Sequence, residues 1–497
     1  MSHLPLLIPL SLLLPALVIP LVGFWRSNLT PAVASLGAGL SFAFAVFGLL
    51  AVLSQGELRY QLGGWPPPIG IEYVLDALSA FMAALITGIG LVALIHARRS
   101  LLREVPDRIV PFYALALLLL AGLTGIVVTG DLFNLYVFLE IASLSAYALM
   151  AVGDERAPVS AFRYLILGSI GGSFYLLGVG FIYFTTGSLN MSDVAQRLPG
   201  LYESRSTIAA ATFMVVGLSL KMALFPLHLW LPDAYTYAPS AASALIAPIM
   251  TKVAAYGLIR LFLTVFEPTY LRDMLPVASI IGWLAAAGVL FGSVMAIAQS
   301  DFRRMLAYSS VSQIAYVGVG IGLANPLGLI GALLHILNHA FMKGCLFLVA
   351  GSIRFRTGIS DIPAFAGLGR TMPWTMAGFS LAALSMVGVP PTAGFFSKWY
   401  LVLAGIDASN WTAVAVILAS TLLNAVYFFR ILEKLYLVPP HGGAAQVKAR
   451  EVPFEMLGPV LFLAAGLLFL GLANAVIVDE VLEPIVASLY NLESQGL

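Results

Sequence analysis

The sequence runs to 497 residues, of which 60% are apolar and only 10% charged, with a mean hydropathy of +0.96. That leaves too little polar surface to cover a soluble globule of this size, so the chain reads as a polytopic membrane protein. A net charge of +1 with no basic patch excludes a nucleic-acid role, and a single cysteine, Cys345 in an apolar run, excludes a disulfide framework and a thiolate metal site.

Fourteen apolar runs, each close to the roughly 20 residues that cross a bilayer about 30 Å thick, can be marked along the chain. They fall at 4–24, 31–54, 72–96, 108–128, 131–152, 160–185, 207–230, 238–263, 275–298, 302–323, 328–352, 374–402, 411–436 and 455–476. The opening run, Leu4 to Val22, follows no basic stretch and shows no clear small-residue cleavage site, so it reads as a retained first span. Between the second and third spans, Gly63 to Pro68 reads as turns rather than as a nucleotide loop, and no phosphate-binding motif is present.

The loops after odd-numbered spans, with the adjoining helix ends, hold sixteen of the 25 basic residues, including Arg98, Arg99, Arg103, Arg303, Arg304, Arg354 and Lys448. The opposite side holds five: Arg59, Arg197, Arg205, Arg260 and Arg272. This bias places the odd-numbered loops in the cytoplasm and both termini outside. The remaining four are Lys221, Lys252, Lys343 and Lys398, all near mid-helix. Nearly all acids sit in loops or at helix ends, and Asp131 is placed to cap the fifth span. Glu140 is the exception, nine residues after Asp131 and therefore about 14 Å into the membrane.

The seventh span carries SLKMALFPLHLWLPDAY at 219–235, which sets Lys221 one turn before Pro226. The proline removes the donor for the carbonyl of Met222 and breaks the helix. An ionised lysine costs about 2.5–3.5 kcal/mol at the centre of a membrane helix, so both groups must face protein or water. The twelfth span carries LSMVGVPPTAGFFSKWY at 384–400, again apolar, proline-interrupted and lysine-bearing. Pro390 and Pro391 release the carbonyls of Met386 and Val387, and Lys398 follows them. Five spans separate the two copies, so the second is inverted, and paired broken helices in inverted repeats point to an ion path.

The expected fold is therefore all-α and polytopic, with two inverted five-helix repeats (spans 4–8 and 9–13) and the seventh and twelfth spans broken. The expected division is 1–107 for the first three spans, 108–263 and 275–436 for the repeats, and 437–497 for the last span and tail. The offset between the lysines carries Glu140 onto Val317, so the second repeat has no matching acid.

On the eleventh span His335, His339 and Lys343 are spaced i, i+4, i+8, with Asn338 beside them. That row can hold water and pass protons, since histidine titrates nearest neutral pH. No carboxylate or thiolate shares the face at ligand spacing, which argues against a metal. Lys252 lies too far from either end of its span to snorkel easily. His228 and Asp233, at the cytoplasmic end of the seventh span, read equally as a proton mouth or as loop capping.

At these residues the chain resembles the antiporter-like subunits shared by respiratory NADH dehydrogenases, membrane-bound hydrogenases and Mrp-type multisubunit cation/proton antiporters. The resemblance covers all fourteen spans. It rests on TGDLFNLYVFLEIASLSAYAL at 129–149, the Lys221 stretch, APIMTKVAAYGLIR at 247–260, DFRRMLAYSSVSQIAYVGVG at 301–320, LHILNHAFMKGCLFLVAG at 334–351 and GVPPTAGFFSKWY at 388–400. GDLFNLYVFLE looks most like the D-type component of the Mrp antiporters, and the lysine at 398 sets the chain apart from paralogues with glutamate there.

The resemblance implies that Glu140 and Lys221 interact, that Lys252 is the next relay station and that Lys398 is the terminal one. It also implies a proton-translocating subunit of a Na+/proton antiporter in the cell membrane, assembled with other subunits and using no cofactor. The chain is then a transporter subunit rather than an enzyme. The second reading is the proton-pumping membrane subunit of a respiratory NADH dehydrogenase or membrane-bound hydrogenase. Sodium prefers several oxygen ligands. With Glu140 as the one intramembrane carboxylate, the expected cargo of this chain is protons, and the cation path lies largely elsewhere.

Overall fold

The computed structural model describes residues 2–439 and 450–490; Lys448 and the end of the C-terminal tail lie outside the described residues. Within hydrocarbon each backbone polar group must be satisfied inside its own segment, so the apolar runs become helices. Eleven stretches are long and apolar enough to cross a membrane. The first of them, Leu4–Gln55, contains two helices, and two broken helices bring the described spans to fourteen.

In chain order these are α1 (Leu4–Arg26), α2 (Thr30–Gln55), α3 (Ala77–Glu104), α4 (Ile109–Val128), α5 (Leu132–Ala151) and α6 (Ala157–Thr186). The broken α7 follows, as α7a (Arg205–Met222) and α7b (Leu231–Tyr237), then α8 (Ser240–Arg260), α9 (Val277–Ile297), α10 (Phe302–Leu323) and α11 (Pro326–Thr357). The broken α12, as α12a (Pro373–Val387) and α12b (Ala393–Asp407), precedes α13 (Trp411–Tyr436) and α14 (Phe454–Leu472).

The third span departs from the sequence reading. Residues 72–75 are not helical: β1 (Leu58–Gln61) and β2 (Glu72–Leu75) form an antiparallel hairpin, with Leu58 opposite Leu75 and Gln61 opposite Glu72. Tyr73, Val74 and Leu75 lead straight into the apolar run of the helix, and Asp76 makes the switch. Its carboxylate accepts from the backbone N–H of Ser79 while the Ser79 hydroxyl accepts from the Asp76 N–H, a reciprocal cap that starts α3 at Ala77. At the other end α3 runs on through Arg98, Arg99 and Arg103 to Glu104, beyond the apolar run.

The inverted repeat is visible in two backbone clasps on opposite faces. In the first repeat the Leu132 N–H donates to the Leu189 carbonyl (2.9 Å) and the Met191 N–H to that of Gly130 (2.8 Å). In the second, Phe302 donates to Ser360 (2.8 Å) and Ile362 to Ser300 (2.8 Å). In each case an aspartate, Asp131 or Asp301, caps the helix that starts at the clasp. Leu132 and Phe302 stand 170 positions apart, which carries Glu140 onto Ser310 rather than Val317. The second repeat still lacks a matching acid. The offset taken from the lysines misled because Lys221 closes the first half of its broken helix while Lys398 lies inside the second half of its own.

At the centre stands α8, every residue of which is buried, flanked by α10 and α11. The arginine-rich ends of the helices gather on one side of the molecule and the β1–β2 hairpin lies on the other.

Candidate functional site

The chain leaves helical geometry at Ala223, three residues before Pro226, where φ reaches 62°. The carbonyl of Leu220, near the end of α7a, accepts from the indole Nε1 of Trp230 across the break (3.1 Å). A neutral side chain thus caps this broken end, and Lys221 is free to turn elsewhere. Its Nζ donates to Ser143 Oγ (2.7 Å) and Tyr147 OH (3.3 Å) on α5 and lies 3.6 Å from Glu140 Oε1. Among the described residues it is the one lysine that reaches a carboxylate within 4 Å. Lys221 is 4% exposed while the Glu140 side chain is 24% exposed, so the pair joins the interior to the outer surface of α5. Gly172 of α6 makes room for the carboxylate: a Cβ there would fall 2.3 Å from Oε1.

A cavity of about 20 Å³ lies between Lys221, Ser143 and the α8 residues Met250 and Val253, room for about one water. On the neighbouring turn Lys252 is buried and donates to the Ala247 carbonyl (2.8 Å). It lies within electrostatic reach of His335, His339 and Lys343 on α11. These three are fully buried, and the rings of His335 and His339 stack at 5.6 Å. Lys343 donates to the Leu306 carbonyl (2.8 Å) and to Ser309 Oγ on α10. His335 Nδ1 pairs with Ser397 Oγ (3.0 Å), next to Lys398.

At the second break Lys398 donates to the carbonyls of Met386 (2.8 Å) and Val387 (3.0 Å), the two that the prolines release. Its Nζ stands 5.5 Å over the Tyr316 ring, which is 5.2 Å from that of His335. Gly388, at φ 91°, allows the chain to turn there and lets the lysine stem pass over it, since a Cβ would meet Lys398 Cδ at 3.3 Å. Lys398, Tyr316, His335, His339 and Lys343 therefore follow one another along α11.

Four side chains in this region carry buried polar atoms with no hydrogen-bond partner among the described residues: Gln313 (both amide atoms), His335 (Nε2), Asn338 (Oδ1) and His339 (both nitrogens). Buried polar atoms without protein partners are sites where water is ordinarily held, and these atoms make the row from Lys252 to Lys398 a polar track through an apolar interior.

The geometry does not unite His228 with Asp233. The His228 ring is buried between Phe225 (5.5 Å) and Phe291 (5.0 Å) in the break. Asp233 lies in α7b, held by Arg163 (3.2 Å) and Arg304 (3.1 Å) at the arginine-rich end.

Comparison with known proteins gives the same architecture a family. The family described as NADH:quinone oxidoreductase/Mrp antiporter, transmembrane, matches residues 129–424, which span both repeats from the Asp131 clasp to α13. The chain belongs to this family. It is 48% identical to the N-type component of the NADH-quinone oxidoreductase of Desulforudis audaxviator, over 97% of this chain and 98% of that one. It is 32% identical to the D-type component of the Na(+)/H(+) antiporter of Alkalihalophilus pseudofirmus, over 89% and 91%. A chain in the Mrp complex of Dietzia sp. DQ12-45-1b superposes with a TM-score of 0.89 at 26% identity, over 98% of this chain and 97% of that one. A chain in the archaeal membrane-bound sulfane sulfur reductase gives 0.91 at 28%, over 99% and 98%. The chain is thus an antiporter-like, multi-pass membrane subunit whose relatives work in multisubunit complexes.

Several residues in the site of this family member escaped the sequence reading. Ser143 and Tyr147 follow Glu140 at i+3 and i+7, one face of α5, and that spacing was a usable signal. Ser309, Gln313 and Tyr316, at i, i+4 and i+7, likewise share one face of α10, within a segment whose polar run YSSVSQ is unusual in an apolar helix. Trp230 carried no signal, because an indole in an apolar stretch reads as core.

Proposed function

We propose that this chain translocates protons along Glu140, Lys221, Lys252, the His335/His339/Lys343 row and Lys398, as the proton-carrying subunit of an Mrp-type Na+/proton antiporter. The observation that carries the reading is the Glu140–Lys221 pair, 3.6 Å apart at a helix break and continued by buried cations that have no carboxylates of their own. Like charges a few ångströms apart repel by several kcal/mol at an effective dielectric near 20, so the four lysines cannot all stay protonated. A proton arriving near Lys252 weakens the Glu140–Lys221 pair and pushes charge toward Lys398. The membrane potential supplies about 2.3 kcal/mol per charge per 100 mV.

In this reading the arginine-rich face is cytoplasmic, both termini are outside the cell membrane, and residues 108–263 and 275–436 act as two unequal half-channels. Sodium, which needs several oxygen ligands, travels largely through partner subunits. The GDLFNLYVFLE segment and the likeness to the D-type antiporter component support the antiporter assembly. The 48% identical relative, whose name places it in a quinone-reducing complex, supports the second reading, a proton-pumping subunit of a redox assembly.

Two measurements test this. Lys221→Ala, in the complete complex reconstituted in vesicles, is expected to abolish proton-coupled transport with all subunits present; normal rates would remove the lysine from the mechanism. Purification through a tag on this chain separates the assemblies: small antiporter subunits should accompany it, and recovery of quinone-reducing or iron–sulfur subunits would establish the redox assembly instead.

A further inference from the structure

His96 is a buried titratable group that the track described above does not use. It lies on α3, eight residues from the arginine-rich end, and is 1% exposed. Nε2 pairs with Ser352 Oγ on α11 at 3.3 Å, the ring also faces the Leu348 carbonyl one turn earlier on that helix, and Nδ1 makes no well-aligned hydrogen bond among the described residues.

Ser352 belongs to the helix that carries the proton row. Steps of four along α11 lead from His335 through His339 and Lys343 to Phe347 and Gly351, winding slowly around the helix. At the last two steps other helices supply the polar atoms. Tyr235 of α7b meets Phe347 edge to face, centroids 6.0 Å apart, and its buried hydroxyl has no partner among the described residues. Gly351 faces two side chains at once: a Cβ there would stand 3.2 Å from Ser240 Cβ and 3.3 Å from His96 Cε1. The Ser240 hydroxyl is likewise buried and unpartnered.

Toward the surface the half-buried Glu104 carboxylate accepts from the Ser240 N–H (2.9 Å) and the Ser100 hydroxyl (3.1 Å). Three helices, α3, α7b and α8, thus set unpartnered polar atoms against the stretch of α11 that joins Lys343 to the arginine-rich face. The other charged groups there include Arg303, whose guanidinium donates to Ser243 Oγ (3.0 Å) and to the Tyr235 (3.2 Å) and Ala238 carbonyls, Arg354, paired with Asp154, Arg103, which donates to the Phe355 carbonyl, and Asp301 at the start of α10. The alternative mouth at Asp233 is engaged by two arginines, and His228 is enclosed by aromatic rings.

From the unpartnered atoms of His96, Ser240 and Tyr235 along α11 we infer a proton-uptake path that runs from Glu104 through His96 and past Tyr235 to Lys343. A proton reaching Glu104 from the arginine-rich side passes through water beside the Ser240 hydroxyl and bonds to one ring nitrogen of His96 while the other releases its proton inward. Water bridges the remaining gap past the Tyr235 hydroxyl to the Lys343 amine, and the ring returns to its starting tautomer before the next transfer. This inference rests on the proton-carrying role proposed for the chain.

The test uses the complete complex in vesicles with the arginine-rich side facing outward, and compares His96→Leu, Tyr235→Phe and Lys221→Ala. His96→Leu should slow transport about a hundredfold with subunit amounts unchanged, the order of effect of removing one proton-transfer group. Its rate should rise in proportion to proton concentration on the arginine-rich side, where the parent reaches a plateau. Tyr235→Phe, which deletes a single oxygen, should slow transport about threefold with the same change in proton dependence. If Lys221→Ala is inactive while both other variants keep the parental rate and proton dependence, the uptake path is wrong and the proton-carrying role stands. If all three transport normally, that role itself falls. Should His96→Leu fail to assemble, Tyr235→Phe decides, and parental behaviour there overturns the path.

Discussion

At the break in α7 the carbonyl of Leu220 accepts from the Trp230 indole, whereas at the break in α12 the carbonyls of Met386 and Val387 accept from Lys398. The two ends have the same requirement, because a carbonyl left unpaired at membrane depth is costly. They meet it with different chemistry. In α7 neutral donors, the Trp230 indole and the Ala223 N–H (3.0 Å), do the capping, so the nearby lysine can face Glu140. In α12 the lysine itself is the cap, and no carboxylate stands near it among the described residues. In the function proposed here, structure and charge transfer fall to separate side chains in the first half and to one side chain in the second.

The difference can be broken from either side. Lys398→Met should both stop transport and lower the stability of the purified complex by about 1–3 kcal/mol, since the buried Val387 carbonyl loses its donor while that of Met386 keeps the longer bond from Asn424 Nδ2 (3.5 Å). Lys398→Arg, which keeps donors in place, should recover most of that stability in thermal melts. Lys221→Met, by contrast, should abolish transport with a smaller loss of stability; equal losses for the two lysines would show that the breaks are held alike. Trp230→Phe should cost about 1 kcal/mol, the ordinary value of one hydrogen bond, and leave measurable transport.

Finer adjustments at the first break address the pair itself. Glu140→Gln should block transport while Glu140→Asp retains part of it, and a parental rate and pH profile in the glutamine variant would make the carboxylate structural. Gly172→Ala places a methyl carbon 2.3 Å from Glu140 Oε1, so it should displace the carboxylate and reduce the rate several-fold without removing any charge. Tyr147→Phe removes the weaker of the two hydroxyls that accept from Lys221, at 3.3 Å, and should change the rate by less than about threefold.

The membrane-spanning architecture was legible in the sequence because hydrocarbon imposes length and apolarity on every span, and a buried charge contradicts its surroundings. Glu140 and the four lysines were conspicuous for that reason, and the broken helices because proline forces a break. What was hidden depended on partners distant in sequence. Residues 72–75 are as apolar as a helix and became a strand only because Leu58–Gln61 lies opposite them. The cap made by Trp230 and the hydroxyls around Lys221 follow from packing, and serine and tyrosine are too common in membrane helices to announce it. His96 gave no sign, since a single histidine near three arginines looks like part of a helix end. The repeat was recognised, but its register was taken from the lysines and so was displaced by seven residues from the 170 that the clasps define.

Those clasps bear on how such a chain can diverge over time. Each joins a helix start to a distant loop through two main-chain hydrogen bonds, and a backbone donor or acceptor is present in every residue except proline, which lacks the donor. Asp131 and Asp301 are constrained by their capping, and Gly130 by its own N–H bond to the Glu72 carbonyl (3.0 Å) and by Val74, which a Cβ would meet at 2.8 Å, but Leu189, Ser360 and Ser300 enter the clasps through their carbonyls. Mutations at those three places can therefore accumulate while the inverted halves keep their geometry. Two copies descended from one ancestral unit can lose nearly all sequence likeness and yet remain superimposable, leaving the pattern of backbone pairing as the longest-lived record of the duplication.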